Sequence, residues 1–144
     1  MAAELGFRGP QAVALAGITY RQLDYWARTD LVRPSLAEAQ GSGTQRRYST
    51  ADIVSLRVVA AICHLGGPRG GGGIAVNDPR IHRAIRLVRN LSPAADTDGL
   101  LVLSSVDVRV LTDPLDVAAL LFTTEPLLLV PLAPLYANLD DVQQ

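Results

Sequence analysis

Two short helix-forming stretches stand only Gly17 and Ile18 apart, and that spacing constrains the front of this chain more than any other feature. "GPQAVALAG" opens with Pro10 near a first helical turn and stops at Gly17, which reads as a helix of about two turns. "TYRQLDYWART" restarts at once, with Thr19 suited to an N-cap or first-turn position. Two helices joined so tightly predict a helix-turn-helix. Pro34 then biases Arg33 away from helix, so "LVRPS" is extended. In "LAEAQGSGTQRRYS" a Gly-Ser-Gly turn signal precedes a second short extended piece, and the two pieces predict a two-stranded wing.

"STADIVSLRVVAAICHLGG" predicts a third helix, capped by Ser49 or Thr50, with Asp52 in its first turn. Ile53, Leu56, Val59, Ala60 and Cys63 recur along it at helical spacing, and Gly66-Gly67 ends it. A glycine-rich loop over 66–73 follows. "NDPRIHRAIRLVRNLS" predicts a fourth helix, started by Asn77 or Asp78 before Pro79, with Ile81, Ile85 and Val88 on one side. "SPAADTDG" reads as a linker. Beyond it "LLVLSS" and "VRVLTD" read as strands and "DPLDVAALLF" as a capped helix, while 126–144 stays open between strand and helix. The predicted fold is a mainly α winged helix-turn-helix domain (α-α-β-β-α-α) over 1–91, a linker over 92–99, and a small α+β module over 100–144.

With 144 residues, 49% of them hydrophobic, the chain can build one core or two small ones. Its net charge of −1 conceals a strong gradient. Residues 1–50 carry a net +2 and 51–90 a net +4, whereas 91–144 carry −7. A basic front and an acidic back favour a nucleic-acid face followed by a separate module. All 13 basic residues are arginine, a bias that a GC-rich genome explains, so positions carry the argument rather than number. Cys63 is the single cysteine, which excludes an intrachain disulfide and fits a reducing interior. No basic stretch leading into an apolar run marks a signal peptide, and "LLLVPLAPL" is too short to span a bilayer. These features lead to the expectation of a cytoplasmic, nucleoid-associated protein without membrane attachment.

Winding the second helix at about 100° per residue puts Thr19, Tyr20, Leu23, Trp26 and Ala27 on one arc. Arg21, Tyr25 and Arg28 fall opposite. A solvated surface needs polarity there but not long planar donors, whereas a helix in a major groove uses them on base edges and phosphates. In the wing, Arg46 and Arg47 alternate in an extended piece, so one can face the protein and the other DNA. Tyr48 can either donate to a phosphate or enter the core. The candidate DNA-contacting set is Thr19, Tyr20, Arg21, Tyr25, Arg28, Arg33, Arg46, Arg47 and Tyr48.

"ITYRQLDYWARTDLVRPS" followed by "RRYSTADIVSLRVV" resembles the N-terminal domain of the MerR family of transcriptional regulators, over about residues 5–64 and more loosely to 90. The resemblance implies a dimeric winged helix-turn-helix on a near-palindromic duplex. Arg21 and Tyr25 match its recognition-helix positions, and Arg47 and Tyr48 the backbone-contacting end of its wing. Two residues depart from the family pattern. Asp30 stands where glycine usually ends the second helix, at a turn expected to be left-handed. Asp24 stands where many members carry arginine, which removes a phosphate contact and adds repulsion. The long "GGPRGGGGIAVNDP" loop and the mixed C-terminal unit replace the usual loop and long dimerisation helix. The C-terminal module is therefore the expected site of self-association or of a small-molecule or protein effector.

Other chemistries find little support. "GGPRGGGG" lacks the Gly-Lys-Ser/Thr ending of a phosphate loop and reads as a linker. Cys63, His64 and His82 lack metal-ligand spacing, and Cys63 suits a small core position. Asp107, Asp113 and Asp116 have no nearby base or nucleophile motif, and Asp113 before Pro114 is explained as a helix cap. No enzyme activity or cofactor is expected. Two alternatives to a regulator are an architectural factor or phage-type excisionase, and a protein-interaction adaptor or antitoxin-like partner.

Overall fold

The computed structural model describes residues 6–37, 46–64, 73–91 and 98–139. They gather into two compact groups, one made by residues up to Ala60 with Asn138 and Leu139, the other by Ala61–Ala137.

The first group begins with β1 (Phe7–Arg8) running directly into α1 (Gly9–Ala16). Pro10 occupies the first turn, and the Gln11 side chain accepts from the Arg8 N–H at 3.0 Å. Gly17 ends the helix at φ 68°, a left-handed conformation that glycine adopts without a Cβ clash, and donates to the Val13 carbonyl at 2.9 Å. Thr19 caps α2 (Tyr20–Arg28) reciprocally. Its hydroxyl accepts from Gln22 N–H at 3.1 Å while Gln22 Oε1 accepts from Thr19 N–H at 3.0 Å.

After α2 the chain reverses sharply. Asp30 takes φ 64°, the left-handed turn expected from the sequence, and Leu31 and Val32 N–H both donate to the Trp26 carbonyl at 2.9 and 3.2 Å. Aspartate tolerates this region better than most residues, though less well than glycine. The turn delivers Leu31 and Val32 into the core.

β2 (Arg47–Tyr48) pairs antiparallel with β1, Phe7 opposite Tyr48 and Arg8 opposite Arg47. On its other edge Arg47 bridges to Ala37, with Leu36 N–H also donating to the Arg47 carbonyl. The predicted pairing of the extended pieces around the Gly-Ser-Gly turn thus appears as this single bridge, and residues 38–45 lie outside those described. Its regular partner is β1, which a two-residue strand beside a helix is too short to announce. Gly6, at φ 69°, permits the approach, because a Cβ there would run into Leu36 and the Tyr48 backbone.

α3 (Thr50–Cys63) follows, capped by Ser49, and buries Ile53, Leu56 and Val59 as predicted. Arg57 reaches from it to α1, where its Nε donates to the Leu15 carbonyl at 2.9 Å. A cation there satisfies a carbonyl in the last turn of α1 and complements the helix dipole.

In the second group, β3 (Leu100–Leu103) is flanked by β4 (Val108–Leu111) and β5 (Leu128–Pro131), both antiparallel, in the order β4-β3-β5. Leu101 lies opposite Val110 on one side and Val130 on the other. α4 (Pro79–Arg89) packs on this sheet by β4 and buries Ile81, Ala84, Ile85 and Val88. It groups with the C-terminal strands, whereas the sequence division set it with the front of the chain. α5 (Pro114–Ala119) is capped by Asp113 as expected and passes into a 3₁₀ turn (Leu120–Phe122). The segment left open between strand and helix holds β5 and then a short α6 (Ala133–Tyr136). Of the glycine-rich loop only Gly73 is described. A Cβ there would collide with the end of α3, and Ile74 N–H donates to the Ile62 carbonyl at 3.2 Å.

Asp78 caps α4 and also grips Arg80. Oδ1 accepts from the Arg80 backbone N–H at 2.9 Å and from Nε at 3.0 Å, and Oδ2 from Nη2 at 2.8 Å. Arg80 Nη1 continues to the Ser104 carbonyl at 2.6 Å, tying the start of α4 to the β3–β4 turn. These bonds from Arg80 hold the Asp78 carboxyl down to about 2, from an ordinary 3.8. A depressed folded value means that the contribution is complete above pH ~4 and is lost as pH falls towards 2. Denaturant unfolding at pH 5, 3 and 2 should therefore show Asp78→Asn about 1 kcal/mol less stable at the highest pH, with the gap closing at the lowest. A gap that stays constant with pH would exclude the charged pair as its cause.

Candidate nucleic-acid interface

α2 has one buried side and one exposed side. Leu23, Trp26 and Ala27 are buried, as the helical winding predicts, while Arg21, Tyr25 and Arg28 are exposed. Tyr25 is 51% exposed, far more than an aromatic ring serving a core would be. Thr19 and Tyr20 depart from the arc assigned to them. Thr19 is the N-cap, with extended backbone at φ −90° and ψ 161°, so helical winding does not apply to it. Tyr20 is 56% exposed, its ring lying over Gly9, where a Cβ would approach it to 3.3 Å. Both are therefore exposed near the N-terminus of α2, beside Arg21.

The arginines beyond α2 are placed unequally. Arg33 is exposed and pairs with Asp30 at 3.3 Å. Arg47 is half-buried, its backbone engaged by β1 and Ala37. Arg46 comes alongside α2, with Nη2 3.0 Å from Asp24 Oδ1. Arg28 Nη2 meets the other oxygen of the same carboxylate at 2.6 Å. Asp24 is thus shared by two cations, and the Arg46 hydrogen bond is foremost in holding its carboxyl below the usual aspartate value.

Tyr48 requires a correction. Its side chain is completely buried, so it anchors β2 in the core and its hydroxyl does not face a phosphate. Alternation along a two-residue strand points Tyr48 inward and leaves the outward direction to its neighbour. Asp24, expected from the sequence to remove a phosphate contact and add repulsion, is also a counter-ion to Arg28 and Arg46. The Asp24–Arg28 half of that arrangement was readable as an i,i+4 pair. The Arg46 half depends on tertiary placement and had no local signal.

Among the described residues no three His, Cys, Asp or Glu side chains are grouped so as to hold a metal ion. Burial pushes the half-buried Cys63 thiol up to about 11, leaving it protonated at neutral pH. No helix of the described residues is long and apolar enough to cross a membrane.

Comparison with known proteins bears on the same segment. A family model described as MerR HTH family regulatory protein matches residues 7–67. The chain is 46% identical over 92 residues to a protein of Mycobacterium bovis named as an HTH-type transcriptional regulator. It has the same identity over the same length to proteins so named in two strains of Mycobacterium tuberculosis. Each match covers 64% of this chain and 40% of the relative, so the chain spans well under half the length of these relatives. The family description and the relatives' names are those of regulators, not enzymes. The segment similar to the MerR HTH regulatory family, residues 7–67, runs from β1 through α3 and includes every candidate DNA-contacting side chain.

Proposed function

We propose that this chain is a sequence-specific regulator of transcription that binds double-stranded DNA with α2 in the major groove. Arg21 and Tyr25 read base edges, while Arg28, Arg33, Arg46 and Arg47 engage phosphates from the helix end and from a wing based on β2. The observation that carries this reading is the exposed Arg21–Tyr25–Arg28 face, with Arg46 brought beside it, within the MerR-type segment. Thr19 and Tyr20 flank that face at the N-terminus of α2, where backbone N–H groups and the helix dipole favour a phosphate. The C-terminal module serves to pair protomers into a homodimer or to receive a small-molecule or protein effector. That division of labour agrees with the acidic balance of residues 91–144.

The test is selection of genomic fragments by purified protein at near-physiological salt, beside an Arg21→Ala/Arg47→Ala double variant. Wild type is expected to enrich a short symmetric motif. Loss of a base-reading arginine and a phosphate contact should weaken binding to it by at least tenfold, since one good base contact contributes about 1–3 kcal/mol of discrimination. Both substitutions leave the buried side of α2 and the backbone pairing of β2 in place, so an unchanged thermal midpoint serves as the folding control. If the variant enriches the same fragments as wild type, the assignment of this face is wrong. Phased sites clustered beside an attachment sequence, instead of a promoter motif, would move the function to DNA architecture.

A further inference from the structure

A carboxylate in the middle of a phosphate-binding surface opposes binding, and Asp24 lies on α2 between Arg21 and Arg28. Its two oxygens are divided between two elements. Oδ2 is 2.6 Å from Nη2 of Arg28, in the last turn of α2, and Oδ1 is 3.0 Å from Nη2 of Arg46, the residue before β2. Arg46 is the more constrained partner. Its side chain is only 24% exposed, against 70% for Arg28, and its Nε is buried without a hydrogen-bond partner. The Asp24 oxygen is therefore the polar contact that fixes the Arg46 guanidinium among the described residues.

We infer that Asp24 is the positioning residue of the DNA interface, fastening Arg28 of the recognition helix and Arg46 at the base of the wing into one fork of fixed spacing. The inference rests on the DNA-binding reading above and extends it to regulation of affinity at that surface. With Asp24 in place, two cations from separate elements are presented in one orientation and are partly neutralised, so loose association with arbitrary sequence is held down. A correctly seated duplex brings phosphates to the fork while Arg21 and Tyr25 meet their bases. Without Asp24 the two guanidiniums move independently, each can take a phosphate in many registers, and one repelling charge is gone. Nonspecific binding gains and discrimination is lost. The negative charge at this position trades affinity for specificity.

The experiment compares wild type, Asp24→Asn and Asp24→Glu on a pool of 30-bp duplexes with randomised centres, titrated from 50 to 200 mM salt. Affinity for the unselected pool and the motif enriched by selection are both read. Each additional phosphate contact steepens the slope of log K against log salt by about 0.9. Asp24→Asn is expected to bind the unselected pool about tenfold more tightly at 50 mM, to steepen the slope by about 1–2, and to enrich a degraded motif. Asp24→Glu, which keeps the charge, should return the slope and motif towards wild type. A purely structural role would lower affinity for selected and unselected duplexes alike and leave the slope unchanged, and that result overturns the inference. Equal gains on both pools with an intact motif overturn it as well, because Asp24 would then be only a repelling charge. Wild type that binds no duplex at any salt overturns the DNA-binding reading itself, and this inference with it. A wild-type motif that Asp24→Asn reproduces unaltered overturns the inference alone.

Discussion

Asp52→Ala is expected to destabilise the helix-turn-helix group by about 3 kcal/mol. The Asp52 side chain is completely buried, yet it is not an isolated charge. Oδ2 accepts from the backbone N–H of Ser35 at 2.8 Å, from the Ser35 hydroxyl at 2.7 Å and from the backbone N–H of Ser49 at 2.9 Å. Ser49 Oγ returns the contact by accepting from the Asp52 N–H at 3.1 Å, and also meets Ser35 Oγ at 3.1 Å. The carboxylate sits in the first turn of α3, where the helix dipole favours a negative charge.

One side chain thus caps α3 and ties the segment leaving α2 to it. Alanine would leave two backbone donors and a hydroxyl without their acceptor. A buried unsatisfied donor costs about 1–3 kcal/mol, and partial relaxation towards water brings the sum to about 3. Asparagine can place its carbonyl oxygen where Oδ2 receives all three bonds and loses only their charge assistance, so a smaller loss, about 1–2 kcal/mol, is expected for Asp52→Asn. Urea unfolding followed by fluorescence of Trp26, the single tryptophan and itself in this group, reads the loss as a lowered midpoint with unchanged slope. A loss below about 1 kcal/mol would mean that the cluster is solvated and does not hold α3 to the chain after α2.

That cluster marks the boundary between what the sequence disclosed and what it concealed. Ser49 with Asp52 three positions later was readable as a capping pair, because both partners are local. Gly17, Thr19, Asp78 and Asp113 were readable for the same reason, and each ends or starts its helix as expected. The strands at 100–103 and 108–111 were readable from their apolar runs bounded by turn residues. Ser35 joining Asp52 from seventeen residues away was not. Nor was the pairing of Phe7 with Tyr48, which buries the tyrosine, nor Arg46 on Asp24. All three depend on chain reversals whose geometry no periodicity records. The exposed arginine and tyrosine face of α2 was legible because a helix converts sequence spacing into direction. The wing side chains were less so, because a two-residue strand gives alternation almost nothing to act on.

Trp26→Ala is expected to have a larger effect still, about 4 kcal/mol, and to weaken the proposed DNA binding by a route opposite to that of Arg21→Ala. Trp26 is 2% exposed, and truncating a buried tryptophan to alanine typically costs about 3–5 kcal/mol through lost burial and the cavity left behind. α2 has nine residues, too few for a helix to persist in water alone, so its orientation comes from Leu23, Trp26 and Ala27 holding its inner side. The Trp26 carbonyl also receives Leu31 and Val32 N–H, so the helix and the reversal after it depend on the same residue. Releasing that anchor frees the whole outer face at once, although no side chain on it has changed. Far-UV circular dichroism against urea should show a midpoint lowered in proportion. Binding of the selected motif should fall with the fraction unfolded and recover when the temperature is lowered towards the stability maximum. Arg21→Ala should give the converse, an unchanged midpoint with weakened binding that cooling does not restore to wild type. A Trp26→Ala protein within about 1 kcal/mol of wild type would show that packing on the inner side of α2 does not fix that helix. Retained stability with lost binding would instead move the indole from the core to the interface.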